Sequence, residues 1–177
     1  MIVILLVVFL ISIYNNLVQL RQRVQNAWAQ VDVQLKRRYD LIPNLVGAVK
    51  GYAQHEKSTL ESVTQARNMA MNASNIQEQM QAENMLTGAL RSLFAVAEAY
   101  PELKANTNFL QLQAELTDTE SKIAFSRQFY NDTVQKFNTK IELFPTNLVA
   151  GMLGFAAVDY FNLQGEPDAR QAVKVEF

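Results

Sequence analysis

The sequence contains no cysteine, which excludes disulfides, thiolate nucleophiles and thiolate metal sites. Six glycines and four prolines are few for 177 residues, and a chain so poor in breakers favours a few long helices over many short strands. The charge is nearly balanced, with 16 basic and 17 acidic residues. No electrostatic footprint for a polyanion is present, so we expect no nucleic-acid partner.

Catalytic groups are also scarce. His55 is the only histidine, which excludes paired histidine metal ligands and the two Glu-x-x-His motifs of a di-iron bundle. It lies in a charged stretch, and we interpret it as a surface histidine; a hydrolase that uses His55 is the enzymatic alternative. Glu115 and Glu120 lie about 140° apart around a helix and do not form an acid and base pair. We predict a protein that is not an enzyme, with no metal and no cofactor.

The most apolar segment is the uncharged run of residues 1–14. It predicts a transmembrane anchor over residues 1–20, although a buried core helix remains an alternative. Fourteen helical residues span only about 21 Å, against a hydrocarbon core of about 30 Å. A cleaved signal peptide would begin with basic residues, and none precedes the run. The anchor residues are Ile2, Leu5, Leu6, Phe9, Leu10 and Ile13.

Basic residues follow the anchor and none precedes it. This pattern predicts a single-pass protein of the inner membrane, with its N-terminus outside the cell and its bundle in the cytoplasm. An apolar stripe from Leu17 to Leu35 predicts that the anchor continues unbroken into the first bundle helix. We expect Pro43 to interrupt or kink this helix, with a further helix over 44–72 that bends near Gly51.

Two later helices have clear start signals. Asn75 with Glu78 three residues on predicts the start of a helix that ends before Pro101. Asn106 or Asn108 is expected to cap a helix of roughly 35 residues that reaches Phe144 and is stopped by Pro145. The predicted fold is all-α, an up-and-down bundle of long antiparallel helices over 21–155. We expect a short amphipathic segment over 146–161 and a C-terminal tail over 156–177.

Two polar clusters stand out. The first is a candidate interaction surface, with a solvated basic face as the alternative, formed by Lys36, Arg37, Arg38, Asp40, Pro43 and Asn44. The second consists of Asn131, Asn138 and Asn147, which we interpret as side chains that hydrogen-bond between helices and at a helix end.

At these residues the sequence resembles the LemA family. The resemblance covers residues 14–155 and includes the specific string DVQLKRR-x-DLIPNLV, which begins at Asp32, and Phe144-Pro145 near its end. It implies a bacterial membrane protein with an N-terminal anchor, a helical bundle and no catalytic residues that can be carried over. Relatives are associated with a membrane-bound metalloprotease through gene neighbourhood and, in a magnetosome branch, with membrane shaping. Family members usually begin with a longer apolar run, so either this start is trimmed or the bilayer thins locally.

These observations favour a non-enzymatic, single-pass scaffold that assembles with copies of itself in membrane lipid. The alternative is a regulatory adaptor or sensor that presents residues 32–46 to a membrane protein such as a protease.

Overall fold

The computed structural model describes residues 1–162, and within them the protein is all-helical, as predicted. Six helices follow one another along this part of the chain, and no strand occurs among the described residues. Their bounds are α1 Ile2–Lys50, α2 Lys57–Met71, α3 Ile76–Glu98, α4 Pro101–Lys104, α5 Thr107–Glu142 and α6 Thr146–Met152. The apolar N-terminal segment is continuous with the first bundle helix, which confirms that expectation.

Pro43 does not interrupt α1, and the predicted break there is wrong. A proline inside a helix removes the N–H that would bond the carbonyl four residues earlier, here that of Tyr39. The Nε–H of Arg67 donates to this carbonyl over 2.7 Å, so the oxygen has a hydrogen-bond partner. The helix ends instead at Lys50, and turns over 51–56 connect it to α2.

The predicted helix starts are confirmed at two asparagines. Asn75 accepts a hydrogen bond from the N–H of Glu78 over 2.9 Å, and Asn106 accepts one from the N–H of Phe109 over 3.1 Å. The carboxylate of Glu78 accepts from the backbone and hydroxyl of Ser74, and these bonds lower the pKa of Glu78. Both caps satisfy amides that the first helical turn leaves without a partner.

The described chain divides into two compact units. Unit 1 consists of residues 1–35 and 121–161, and unit 2 contains residues 36–120. The segment 156–161, which the sequence assigned to the tail, belongs to unit 1. The rest of the predicted tail lies outside the described residues.

The end of α6 is shaped by Gly154, which has a φ of 71°. After this left-handed residue the N–H of Phe155 bonds the carbonyl of Ala150 over 3.0 Å. This is the bond of a Schellman motif, for which glycine is preferred because a Cβ is unfavourable at positive φ. The turn brings the ring of Phe155 to 6.2 Å from that of Tyr14 and 6.4 Å from that of Phe137, both measured between centroids.

Candidate functional site

Five of the six predicted anchor residues are exposed in the described chain, with exposed fractions from 40% for Leu10 to 81% for Ile2. Residues 2–12 of α1 are exposed, and the first buried residue is Ile13, which is followed by Leu17. Ile13 is therefore an anchor residue by sequence that also packs in the core of unit 1. By length and composition α1 can cross a membrane, and little of its apolar window is buried by other parts of the described protein.

The six residues of the candidate interaction surface differ in burial. Five of its residues are exposed, Lys36, Arg37, Asp40, Pro43 and Asn44. Arg38 does not belong to this surface, because only 1% of it is exposed. Neighbouring helical residues point about 100° apart, so Arg37 faces solvent while Arg38 continues the buried stripe three residues after Leu35.

Arg38 is at the centre of a polar network inside unit 2. Its guanidinium donates from Nη1 to Glu83 over 2.8 Å and from Nη2 to the hydroxyl of Thr87 over 3.0 Å. The Nε atom lies 2.9 Å from a carboxylate oxygen of Glu120. The side chain therefore joins α1 to both α3 and α5 within this unit.

Glu83 is the buried counterion in this network, with 1% of the residue exposed. Its second carboxylate oxygen accepts hydrogen bonds from the Tyr39 hydroxyl and, over 3.1 Å, from the Gln79 amide. Burial, together with the charge of Glu83, raises the pKa of Tyr39, so the phenol stays neutral and donates. Because both oxygens have partners, the charge is held without an empty site for a substrate or metal.

Such a buried pair contributes more to specificity of packing than to stability. Desolvation offsets most of the attraction between two buried charges, whereas removal of one partner leaves an uncompensated charge that costs about 3–5 kcal/mol. We therefore expect Arg38 and Glu83 to favour one register of α1 against α3. Glu83 was not predicted from the sequence as part of a site, although its position beside Ala82 and three residues before Leu86 places it on an apolar stripe.

The asparagine cluster holds the chain that follows α6. Asn138 exchanges two hydrogen bonds with the backbone of Val158, both 2.9 Å long. Asn131 does the same with Phe161, over 3.2 and 2.8 Å. The two amide side chains therefore supply the hydrogen-bond donors and acceptors that a neighbouring strand would offer to the backbone of this segment. Asn147 instead accepts from the N–H of Leu148 at the start of α6.

The spacing of these two asparagines follows from geometry. Seven residues of helix rise about 10.5 Å, and three residues of extended chain span about 10 Å. Asn131 and Asn138 therefore match Phe161 and Val158 on a segment that runs antiparallel to α5. Asp159 lies between Val158 and Phe161 on this segment, and its carbonyl accepts a hydrogen bond from the Tyr130 hydroxyl over 3.0 Å. Burial, and then the Asp159 charge, raise the pKa of Tyr130 to about 12.

The described residues do not assemble a catalytic constellation. His55 is exposed in the turn after α1. Within residues 1–162 no group of three or more His, Cys, Asp or Glu side chains could hold a metal ion. The polar groups brought together are structural clamps, which hold helices or an extended segment.

The comparisons with known proteins identify the family. The sequence model of the LemA family matches residues 27–177. The chain belongs to the LemA family. Protein LemA of Metamycoplasma hominis is 32% identical over 152 residues, which cover 83% of this chain and 68% of that protein.

Magnetosome proteins are among the relatives of this LemA family member. Magnetosome protein MamQ of Magnetospirillum gryphiswaldense is 25% identical over 175 residues, covering 84% of this chain and 64% of that protein. Magnetosome protein MamQ 1 of Paramagnetospirillum magneticum is 25% identical over 174 residues, with the same coverage. The chain spans less than two thirds of the length of these magnetosome proteins.

Proposed function

We propose that this LemA family member is a non-enzymatic scaffold that α1 anchors in the bacterial cytoplasmic membrane and that assembles with copies of itself. The observation that carries the proposal is the accessible apolar run over residues 2–12, which has almost no packing partner in the described chain. An apolar helix left open over this length is stabilised by lipid or by other anchors. The basic residues that follow it favour an N-terminus outside the cell.

An exposed aromatic pair in unit 1 supports self-assembly. Phe125 and Phe129 lie one helical turn apart on α5, with 73% and 45% of each residue exposed. Residues four apart share a helix face, and aromatic side chains are enriched at protein interfaces. The contact between copies therefore involves this face of α5.

The test is the mass of the full-length protein in mild detergent, measured by light scattering across a wide concentration range. We expect one closed oligomer, and a smaller species when Phe125 and Phe129 are both changed to serine. Leu110→Ser is the matched control, because Leu110 is also exposed on α5 but lies in unit 2. A monomer at every concentration contradicts the scaffold.

The second candidate function is an adaptor for a membrane protein such as a protease. Lys36, Asp40, Pro43 and Asn44 recur at helical spacing and share one exposed face of α1, with Arg37 beside it. An open groove of about 850 Å³ lies between α1 and α2 in the same unit. These features fit the docking of a partner protein.

Charge reversal of Lys36 and Arg37 separates the two functions. Both residues are exposed, so the double change to glutamate should leave helicity intact. An adaptor loses its crosslinks to the partner and keeps its mass in detergent. If crosslinking to membrane proteins is unchanged, this face does not dock a partner.

A further inference from the structure

We infer that the corner between α5 and α6 is a second membrane contact, which inserts into the boundary between lipid headgroups and acyl chains. The corner consists of Leu143, Phe144, Leu148, Met152 and Leu153. The inference deepens the proposed function, because it rests on the membrane placement of α1. Its occupant is the surface of an anionic bilayer, and all the residues involved belong to unit 1.

The apolar side of the corner faces outwards. The exposed fractions are 53% for Leu143, 79% for Phe144, 60% for Leu148, 88% for Met152 and 50% for Leu153. On α6, Thr146 and Ala150 are buried on the inner face while Leu148 and Met152 are exposed on the outer one. A helix of a soluble protein shows the opposite arrangement, with its larger apolar side chains facing the core.

The corner lies beside the end of the anchor. The ring of Phe155, just after α6, contacts Tyr14 on α1 and Phe137 on α5. Farther along both helices the rings of Trp28 and Tyr130 are 5.3 Å apart between centroids, so the two helices are antiparallel.

This register sets the depth of the corner. Fourteen residues, or about 21 Å of helix, lead from Trp28 back to Tyr14. From Tyr130 forward, about 18 Å of helix leads to the end of α5 at Glu142, and Phe144 follows two residues later. Phe144 therefore lies near the level of Tyr14, where the uncharged apolar run of α1 ends. Residues 1–14 span about 21 Å, less than a hydrocarbon core of about 30 Å, so the surface of a bilayer that α1 crosses lies at this level or farther along the helix, and the exposed corner side chains then lie at its boundary.

The charges around the corner fit an anionic surface. Lys136 and Lys140 precede it on α5, about 9 and 3 Å of helix before that helix ends at Glu142. On α1 the Arg21 guanidinium lies 5.1 Å from the centroid of the Phe155 ring. Glu142 is an exposed acidic residue in the same region, so cations exceed anions by three to one among these four side chains. Basic groups next to inserted apolar side chains are typical of helices that lie in the plane of a membrane.

The absence of cysteine allows a direct test with single labels on the full-length chain. Met152→Cys, Leu5→Cys and Gln128→Cys each carry one environment-sensitive fluorophore. The proteins are reconstituted in vesicles of phosphatidylcholine and phosphatidylglycerol, with and without nitroxide-labelled lipid as a quencher. Gln128 is the control, because it is exposed on α5 about 21 Å of helix before α5 ends at Glu142.

We expect nitroxide lipid to quench the label at position 152 strongly, as it does at position 5 in the anchor, and to leave the label at position 128 bright. Quenching at position 5 without quenching at position 152 overturns the inference and leaves the anchor intact. Shielding at position 152 that depends on protein density and not on nitroxide lipid also overturns it, because a second copy then covers the corner. No quenching at position 5 means that the anchoring itself is wrong, and the inference fails with it.

Discussion

The hydrogen bond from Arg67 to Tyr39 predicts an energetic coupling between Arg67 and Pro43. Pro43 deprives the Tyr39 carbonyl of its helical donor, and Arg67 supplies another over 2.7 Å. Tyr39 is buried, so Arg67→Met leaves this carbonyl short of a donor away from water. We expect a loss of about 1–3 kcal/mol in the free energy of unfolding.

The coupling appears when proline is also removed. In a Pro43→Ala background the restored N–H of residue 43 can bond the Tyr39 carbonyl as in an ordinary helix. Arg67→Met should then cost at least about 1 kcal/mol less than in the native background, as expected for residues that share a partner. The assay is thermal unfolding of all four proteins in mild detergent, where each kcal/mol moves Tm by about 2–4 °C at this chain length.

Arg91→Met is the matched control for this cycle. Arg91 is exposed on α3, so its loss should change stability by less than about 0.5 kcal/mol. Equal costs of Arg67→Met in the native and Pro43→Ala backgrounds would refute the reasoning, because Arg67 would then act through packing and not through the carbonyl.

Four further predictions concern the buried polar groups and the turn after α6. Arg38→Met should cost about 3–5 kcal/mol by stranding the Glu83 charge, and adding Glu83→Leu should recover much of the loss; a double variant no better than the single one contradicts the network. Asn138→Ala removes two hydrogen bonds and should speed proteolysis near residue 158, whereas unchanged cleavage would mean that the segment is held by other contacts. Gly154→Ala should lower the free energy of unfolding by about 1–2 kcal/mol, and an unchanged Tm contradicts this reading of the turn. Because the pKa of Tyr130 is raised to about 12, its phenol stays protonated in the folded state above pH 10, where the phenol of the unfolded state ionises. The free energy of unfolding should therefore fall between pH 10 and 12, and it should fall less in Tyr130→Phe. Parallel pH profiles of the two proteins contradict this prediction.

Helix type and most helix ends were predictable, because they depend on local chemistry. Asn75 and Asn106 accept from amides three residues on, and those spacings are written in the sequence. Pro43 shows the limit of local reasoning. The helix continues through Pro43, and the carbonyl that Pro43 leaves without its helical donor accepts a hydrogen bond from Arg67 on α2. No local sequence pattern reveals this partner.

The candidate interaction surface shows that a run of like residues does not reveal which of them is buried. Lys36, Arg37 and Arg38 form one basic run by composition, yet Arg38 alone is buried. Its position three residues after Leu35 continues the apolar stripe, and a charge there requires a buried counterion. Glu83 occupies an equivalent position on α3. Two opposite charges on two apolar stripes were the signal that could have paired them.

The asparagines show why function in this fold is difficult to infer from polar residues alone. Asn131 and Asn138 each exchange two hydrogen bonds with an extended backbone and therefore have a sufficient structural role. Arg38 and Glu83 likewise satisfy each other inside unit 2. These buried polar groups thus have structural roles, and the accessible features include apolar ones: the run over residues 2–12, the pair Phe125 and Phe129, and the corner between α5 and α6. Because contiguous exposed apolar groups are typical of interaction sites, we propose that these groups are where this protein meets lipid or another protein.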